Sequence, residues 1–372
     1  MESVKRYADC VTRAPVRLFR HKEQSMAARL SAMAERAGAF ASPDFYGKGD
    51  LICSFEREMA RLFNKSAALF LPSGTMAQCI ALKIIALNKN NPHFAIHPTS
   101  HLYLHEHDAW QSLWHLQAHP VGDLNAPIGL SDLLALGDLP ATVLTEVPAR
   151  EIGGQLPPWE DLVAQSQWAR THGVNFHLDG ARIWCAEAVY QRSFAEIGGL
   201  FDVLYLSFYK DLDGISGAML LAEDEAFMDE ARRWRRRCGG DLIHHYPAIL
   251  AAQIGIETHL ARMPDYVAQA QCIARLFQQH RCFELVPRQP LTNLFHIIIR
   301  YPKEAVLDIL YNDVLRERVA ILPVPRNPEP EFCRFEITVG NSQSQLPIAG
   351  WQSAIERLAG AIRALQSEAA CR

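Results

Sequence analysis

The sequence has no C-x-x-C pair. Its nine cysteines are scattered and odd in number, which indicates neither a disulfide framework nor a zinc site of paired cysteines. No apolar run approaches the ~18–20 residues needed to cross a bilayer. The opening stretch, Met1-Glu2-Ser3-Val4-Lys5-Arg6-Tyr7, is not followed by the apolar segment of a secretory signal. Strong charge of one sign is also missing: 37 Lys and Arg stand against 41 Asp and Glu, a net charge of -4. No general affinity for nucleic acid or for a membrane surface is expected from that balance. Internal repeats and low-complexity segments are absent. These gaps together predict a cytoplasmic protein in a reducing compartment.

What is present is enough for a large core. At 372 residues with 49% hydrophobic content, one large and one smaller domain are expected. The pivotal stretch runs from Val203 to Leu221. Two apolar runs, Val203–Leu206 and Ala218–Leu221, flank a polar loop that contains Gly214 and Gly217. Runs of this length read as buried strands of an α/β sheet, and ligands of such sheets sit at the loops beyond the strands. Lys210 stands where the first run ends. Apolar surroundings disfavour an ammonium and lower its pKa, which is what Schiff-base chemistry with a carbonyl or pyridoxal phosphate requires.

Upstream, Ala67–Leu71 is an apolar run entering Pro72-Ser73-Gly74-Thr75, and an apolar helix leaves through Ile80, Leu82, Ile84 and Leu87. The free N–H groups and positive end of that helix form an anion site, with the Ser73 and Thr75 hydroxyls as further donors; plain helix capping is the alternative. A histidine-rich segment follows, in which His101 and His105 would share a helical face. No carboxylate or cysteine set joins them at ligand spacing, so a flat imidazole stacked on a planar ligand is preferred to a metal.

Thr142–Val147 reads as a buried strand carrying Glu146. Gly173–Leu178 reads as another, ending in Asp179-Gly180-Ala181-Arg182. A carboxylate buried at a strand end needs a partner. Either Asp179 and Arg182 pair with each other, or Asp179 faces a protonated ring nitrogen and Arg182 meets a substrate carboxylate. The run Arg232–Arg237, with Trp234 inside it, is short and sits in one predicted helix; a solvated face or a subunit contact explains it better than a nucleic-acid patch. The expected organisation is an N-terminal arm over residues 1–45, a large domain over 46–255 and a small α+β domain over 256–372.

Phe45-Tyr46-Gly47, Ala67 to Met76, His101, His177-Leu178-Asp179-Gly180-Ala181-Arg182 and Lys210, in this order, resemble the threonine aldolase and β-eliminating lyase branch of fold-type-I pyridoxal-phosphate enzymes. The resemblance implies the α/β aspartate-aminotransferase architecture and a homodimer or homotetramer acting on an amino acid. Gly74 and Thr75, with Ser73, would hold the cofactor phosphate. His101 would stack on the ring, Asp179 would keep its nitrogen protonated, and Lys210 would carry the Schiff base. Glu146 would line the cofactor site, Arg182 and Arg334 would grip the substrate carboxylate, and Tyr46 would lie near a subunit boundary by the substrate. The implied reaction cleaves the Cα–Cβ bond of threonine or allo-threonine to glycine and an aldehyde, with His101 or a water as base for the β-hydroxyl.

Three departures are visible. The family's N-terminal Ser-Asp-Thr element is at best Ala8-Asp9-Cys10. Its Asn-Thr-His-Asn run is here Val147 to Ile152, and the glycine after its lysine is Asp211. β-Elimination, racemisation and amino-acid binding without turnover remain alternatives at this level.

Overall fold

The computed structural model describes residues 2–40 and 42–370, with side chains through residue 365. It divides into two compact units: Gln24–Arg262, and the chain up to Glu23 together with the chain from Met263 onward. The segment expected as an arm over 1–45 is therefore shared between them. In chain order, α1 (Glu2–Arg13) and β1 (Val16–Arg17) precede α2 (Met26–Ala37), α3 (Asp50–Leu62), β2 (Ala67–Leu71), α4 (Gly74–Lys89), β3 (His93–Ile96) and α5 (His101–His105). There follow β4 (Gln117–Pro120), β5 (Thr142–Glu146), β6 (Asn175–Gly180), β7 (Val203–Ser207) and β8 (Ala218–Ala222).

Strands β2 to β8 form a seven-stranded sheet in the order β2-β8-β7-β6-β5-β3-β4. Neighbours from β7 to β4 pair in parallel, and β8 runs antiparallel between β2 and β7. Strands β2, β5, β7 and β8 are buried at every position, as expected for apolar runs covered on both faces. Their leucines each add about 1.5–3 kcal/mol of burial. The edge strand β4 is mostly exposed and polar.

Local chemistry sets the helix ends around this sheet. Ser73 caps α4 by accepting from the Met76 N–H at 3.3 Å, and Asn90 closes it in the left-handed region at φ 50°. The basic run lies in the helix Glu225–Arg237. There Arg232 pairs with Asp229, Arg233 and Arg237 with Glu230, and Arg236 with Asp241, while buried Arg235 donates to the Phe70 carbonyl at 2.8 Å. The helix Tyr246–His259 crosses the loop after Lys210 at Gly255, where a Cβ would come 2.1 Å from the Leu212 carbonyl oxygen. Only glycine permits that approach.

The other unit is an antiparallel sheet of β9 (Glu284–Val286), β10 (Leu294–Ile299) and β12 (Cys333–Thr338) in the order β12-β10-β9. Strand β11 (Val319–Ala320) pairs in parallel with β1, and α1 packs along the helix Lys303–Glu317. Tyr7 anchors α1 by donating its hydroxyl to the Leu322 carbonyl at 2.7 Å.

Candidate active site

Parallel pairing puts Glu146 of β5 directly across from Asp179 of β6, and Asp179 across from Tyr205 of β7. Lys210 follows three residues after the end of β7. The carboxyl ends of three adjacent strands thus deliver Glu146, Asp179 and Lys210 to one place, where ligands of α/β sheets bind.

Asp179 is 1% exposed. One oxygen accepts the Ala181 N–H at 3.0 Å and the other accepts Gln78 Nε2 at 2.9 Å. Gln78 stands one turn into α4, so the Ser73-Gly74-Thr75 helix also fixes the aspartate. Burial raises the Asp179 pKa, and the Lys210 charge opposes that rise. For Lys210 the order is mirrored: burial lowers the pKa, Asp179 raises it, and Arg182 lowers it again. The lysine therefore spends more of its time as a neutral, nucleophilic amine than a solvated one. Glu146 is pushed up to about 8, first by burial and then by Asp179, so it holds its proton more readily than a solvated carboxyl.

Besides the charge of Asp179, on which it acts, Arg182 has a second carboxylate neighbour. Arg182 Nη1 lies 3.2 Å from Asp211 Oδ1, and both groups are buried. Asp211, which stands where the resembled family has glycine, is the residue immediately after Lys210.

His101 opens α5. Its ring centroid is 5.1 Å from that of His105 with 43° between planes, and its Nδ1 is buried without a partner. Its pKa is lowered to about 4, first by burial, then by Lys210, His105 and Arg150. A neutral, flat, polarisable ring results, suited to stacking. Glu106 was missed by the sequence reading. Its carboxyl, raised to about 7 by burial, accepts from the Thr75 hydroxyl and responds to the charges of Asp179 and Lys210. It sits five residues after His101 inside a run whose histidines drew attention instead. Gln78 was missed because one polar residue in a helix ordinarily faces solvent.

Two further expected residues have neighbours of their own. Tyr46 adopts φ 47°, donates its N–H to the Ile243 carbonyl at 3.0 Å, and packs its ring on Phe45 at 4.7 Å. Arg334 belongs to the other unit, on β12, with its N–H donated to Asn327 Oδ1 at 2.7 Å.

The residues present fit pyridoxal phosphate. A buried carboxylate aligned by two donors needs a cation, which a protonated pyridine nitrogen is. A lysine of lowered pKa, a helix N-terminus and an unpartnered imidazole complete the set.

The family model for the beta-eliminating lyases matches residues 25–300. A low-specificity L-threonine aldolase of Candida albicans is 30% identical over 248 residues, 63% of this chain and 64% of that protein. The chain spans about half to two thirds of the length of the first curated relatives that it matches, the shortest share being 53%. A crystal structure of a putative L-allo-threonine aldolase from Listeria monocytogenes EGD-E superposes with a TM-score of 0.91 at 34% identity, over 96% of this chain and 99% of that one. A serine palmitoyltransferase of Sphingomonas wittichii shares the fold alone, with a TM-score of 0.67 at 14% identity over 89% and 84%. The architecture is that of the fold-type-I pyridoxal-phosphate enzymes, and the chain belongs to the beta-eliminating lyase family.

Proposed function

We propose that this protein is a pyridoxal-phosphate-dependent aldolase that cleaves β-hydroxy-α-amino acids of the threonine or allo-threonine type to glycine and an aldehyde. The observation that carries the reading is the placement of Lys210 and buried Asp179 at the carboxyl ends of adjacent parallel strands, each acted on by the other's charge. Threonine aldolases among the relatives in both sequence and structure support the choice of reaction.

Lys210 is the amine that would hold the cofactor covalently. The first-turn N–H groups of Gly74 and Thr75 would receive its phosphate, with Ser73 as the cap beside them. The Thr75 hydroxyl lies within the influence of Glu106, and the Thr75 backbone N–H would serve the anion as well. Asp179 would keep the ring nitrogen protonated, and His101 would cover the ring face. Pyridoxal phosphate supplies the electron sink that takes up the electron pair of the broken bond.

This chain's own groups would do the rest. Arg182, steadied by Asp211, would orient the substrate carboxylate, and orientation of this kind can be worth several kcal/mol of barrier. Lys210, once displaced by the substrate amine, is placed to return a proton to Cα.

A homodimer or homotetramer fits the exposed apolar side chains of Phe45, Leu242 and Ile243, since large apolar side chains gathered at a surface mark contacts. A reducing cytoplasmic setting is supported by cysteines that are free throughout the described residues.

The test is a visible spectrum of the purified protein before and after L-threonine and L-allo-threonine, with aldehyde and glycine assayed in the same sample. A cofactor band that shifts, with aldehyde and glycine released together, is expected. A cofactor band accompanied by a keto acid instead would overturn the aldolase reading in favour of elimination.

A further inference from the structure

As the Cα–Cβ bond breaks, a base has to take the proton of the β-hydroxyl. His101 is poorly suited to it: its Nε2 has a carboxylate only at 3.8 Å, Glu106 Oε1, and burial and the positive charges around it reduce its proton affinity to about 4.

His105, one turn along α5, is arranged differently. Its side chain is 37% exposed, and its Nε2 lies 2.9 Å from Glu151 Oε1. A carboxylate at one ring nitrogen fixes the tautomer: Nε2 keeps the hydrogen and donates it, leaving the lone pair on Nδ1. The same Glu151 oxygen is approached by Arg150 Nη1 at 3.8 Å. The Arg150 N–H donates to Glu146 Oε1 at 3.4 Å, at the strand end across from Asp179. The loop that supplies Glu151 is itself closed by Gly153 and Gly154, both at positive φ, with the Gly153 N–H donated to the Arg150 carbonyl at 3.0 Å. The His105–Glu151 pair is thus tied to the wall that carries Asp179, and its imidazole lies beside that of His101.

Resting on the aldolase reading above, we propose that His105 is the general base for the substrate β-hydroxyl, with Glu151 as its positioning residue. In cleavage, His105 Nδ1 takes the hydroxyl proton. The O–H electron pair becomes the second bond of the aldehyde carbonyl, the Cα–Cβ bond breaks, and its electron pair stays with Cα. A proton then returned to Cα from Lys210 completes glycine, and His105 gives its proton to solvent after the aldehyde leaves.

The experiment uses the holoenzyme and separates two half-reactions. Aldehyde release from threonine needs a β-hydroxyl base, whereas exchange of a glycine Cα proton with deuterated solvent does not. His105→Phe is expected to lower aldehyde release by about 100-fold or more, while its cofactor spectrum and glycine exchange remain within about threefold of wild type. Glu151→Ala is expected to lower kcat about 10-fold with little change in KM, and Glu151→Gln, whose amide oxygen still accepts from Nε2–H, to recover part of it. Nitrogen-15 spectra of histidine-labelled protein provide a readout free of turnover. The wild type should carry its His105 hydrogen on Nε2, and Glu151→Ala should mix the tautomers.

Aldehyde release by His105→Phe within about threefold of wild type would overturn the proposal. So would equal loss of glycine exchange, which would mark His105 as part of the scaffold, or an Nδ1–H tautomer in the wild type. If the wild type exchanges glycine but releases no aldehyde from any β-hydroxy amino acid, the aldolase reading fails and the base assignment falls with it.

Discussion

Asp211 is bonded in sequence to Lys210 and bonded in space to Arg182, Oδ1 to Nη1 at 3.2 Å. One residue thus links the lysine proposed to anchor the cofactor to the guanidinium proposed for the substrate carboxylate. Removing one partner of a buried pair leaves the other charge uncompensated, at about 3–5 kcal/mol. Asp211→Gly, the residue of the resembled family, should lower the unfolding free energy by about 3 kcal/mol, the low end of that range because Arg182 has further contacts. It should also raise KM for amino acids more than it lowers kcat. Denaturant unfolding and steady-state kinetics check both; unchanged KM would remove Arg182 from substrate binding.

Lys210→Ala removes the only group in the cluster able to hold the cofactor through an amine. The expected outcome is loss of the visible band of covalently held cofactor after reconstitution and dialysis, with aldol cleavage below detection. Retention of the wild-type band would place the anchor elsewhere.

Asp179→Asn keeps the shape and the bond to the Ala181 N–H but loses the charge that would hold a ring nitrogen protonated. A drop of about 100-fold or more in kcat/KM is expected, by analogy with removal of one preorganised electrostatic group, at undiminished expression. Neutral kinetics would return Asp179 to a structural role.

His177 yields a pH prediction. It lies in β6, fully buried, with neither ring nitrogen partnered, and burial lowers its pKa from 6.5 to about 3. Below pH 6.5 the unfolded chain takes up a proton that the folded chain refuses. Its stabilising contribution is therefore complete above pH 6.5 and shrinks as pH falls, by about 1.4 kcal/mol per unit. From pH 7.5 to pH 5 that amounts to about 2 kcal/mol. His177→Leu should remove this share of the acid sensitivity, read as a smaller difference in unfolding free energy between the two pH values. An identical difference in wild type and variant would mean that the ring protonates in place.

Much of the large unit could be read from the chain because its strands are short apolar runs ended by turn residues, and its reactive groups stand at those ends. Lys210, Asp179 and the Ser73-Gly74-Thr75 turn are local features, visible within about ten residues. Gln78 and Glu106 were not visible, since only packing shows that a helix glutamine faces Asp179 and that Thr75 meets a carboxyl 31 positions later. The contact of Arg182 with Asp211 was not visible for the same reason: Asp179, three residues away, looks nearer than Asp211, which adjacent parallel strands bring alongside. The short strands β3 and β4 escaped notice among the histidines, whose polarity masks the alternation of a strand.

The pairing of β1 with β11, Val16 to Val319, sets an order of events during synthesis. Gln24–Arg262 is complete long before Val319 is made, whereas α1, with Tyr7, Cys10 and Val11 to bury, emerges first and finds its partners last. At roughly 5–20 residues per second, that wait is on the order of 15–60 s. During most of it the large unit is still being made, and an amphipathic helix whose own partners do not yet exist is the stretch of the nascent chain most in need of a chaperone.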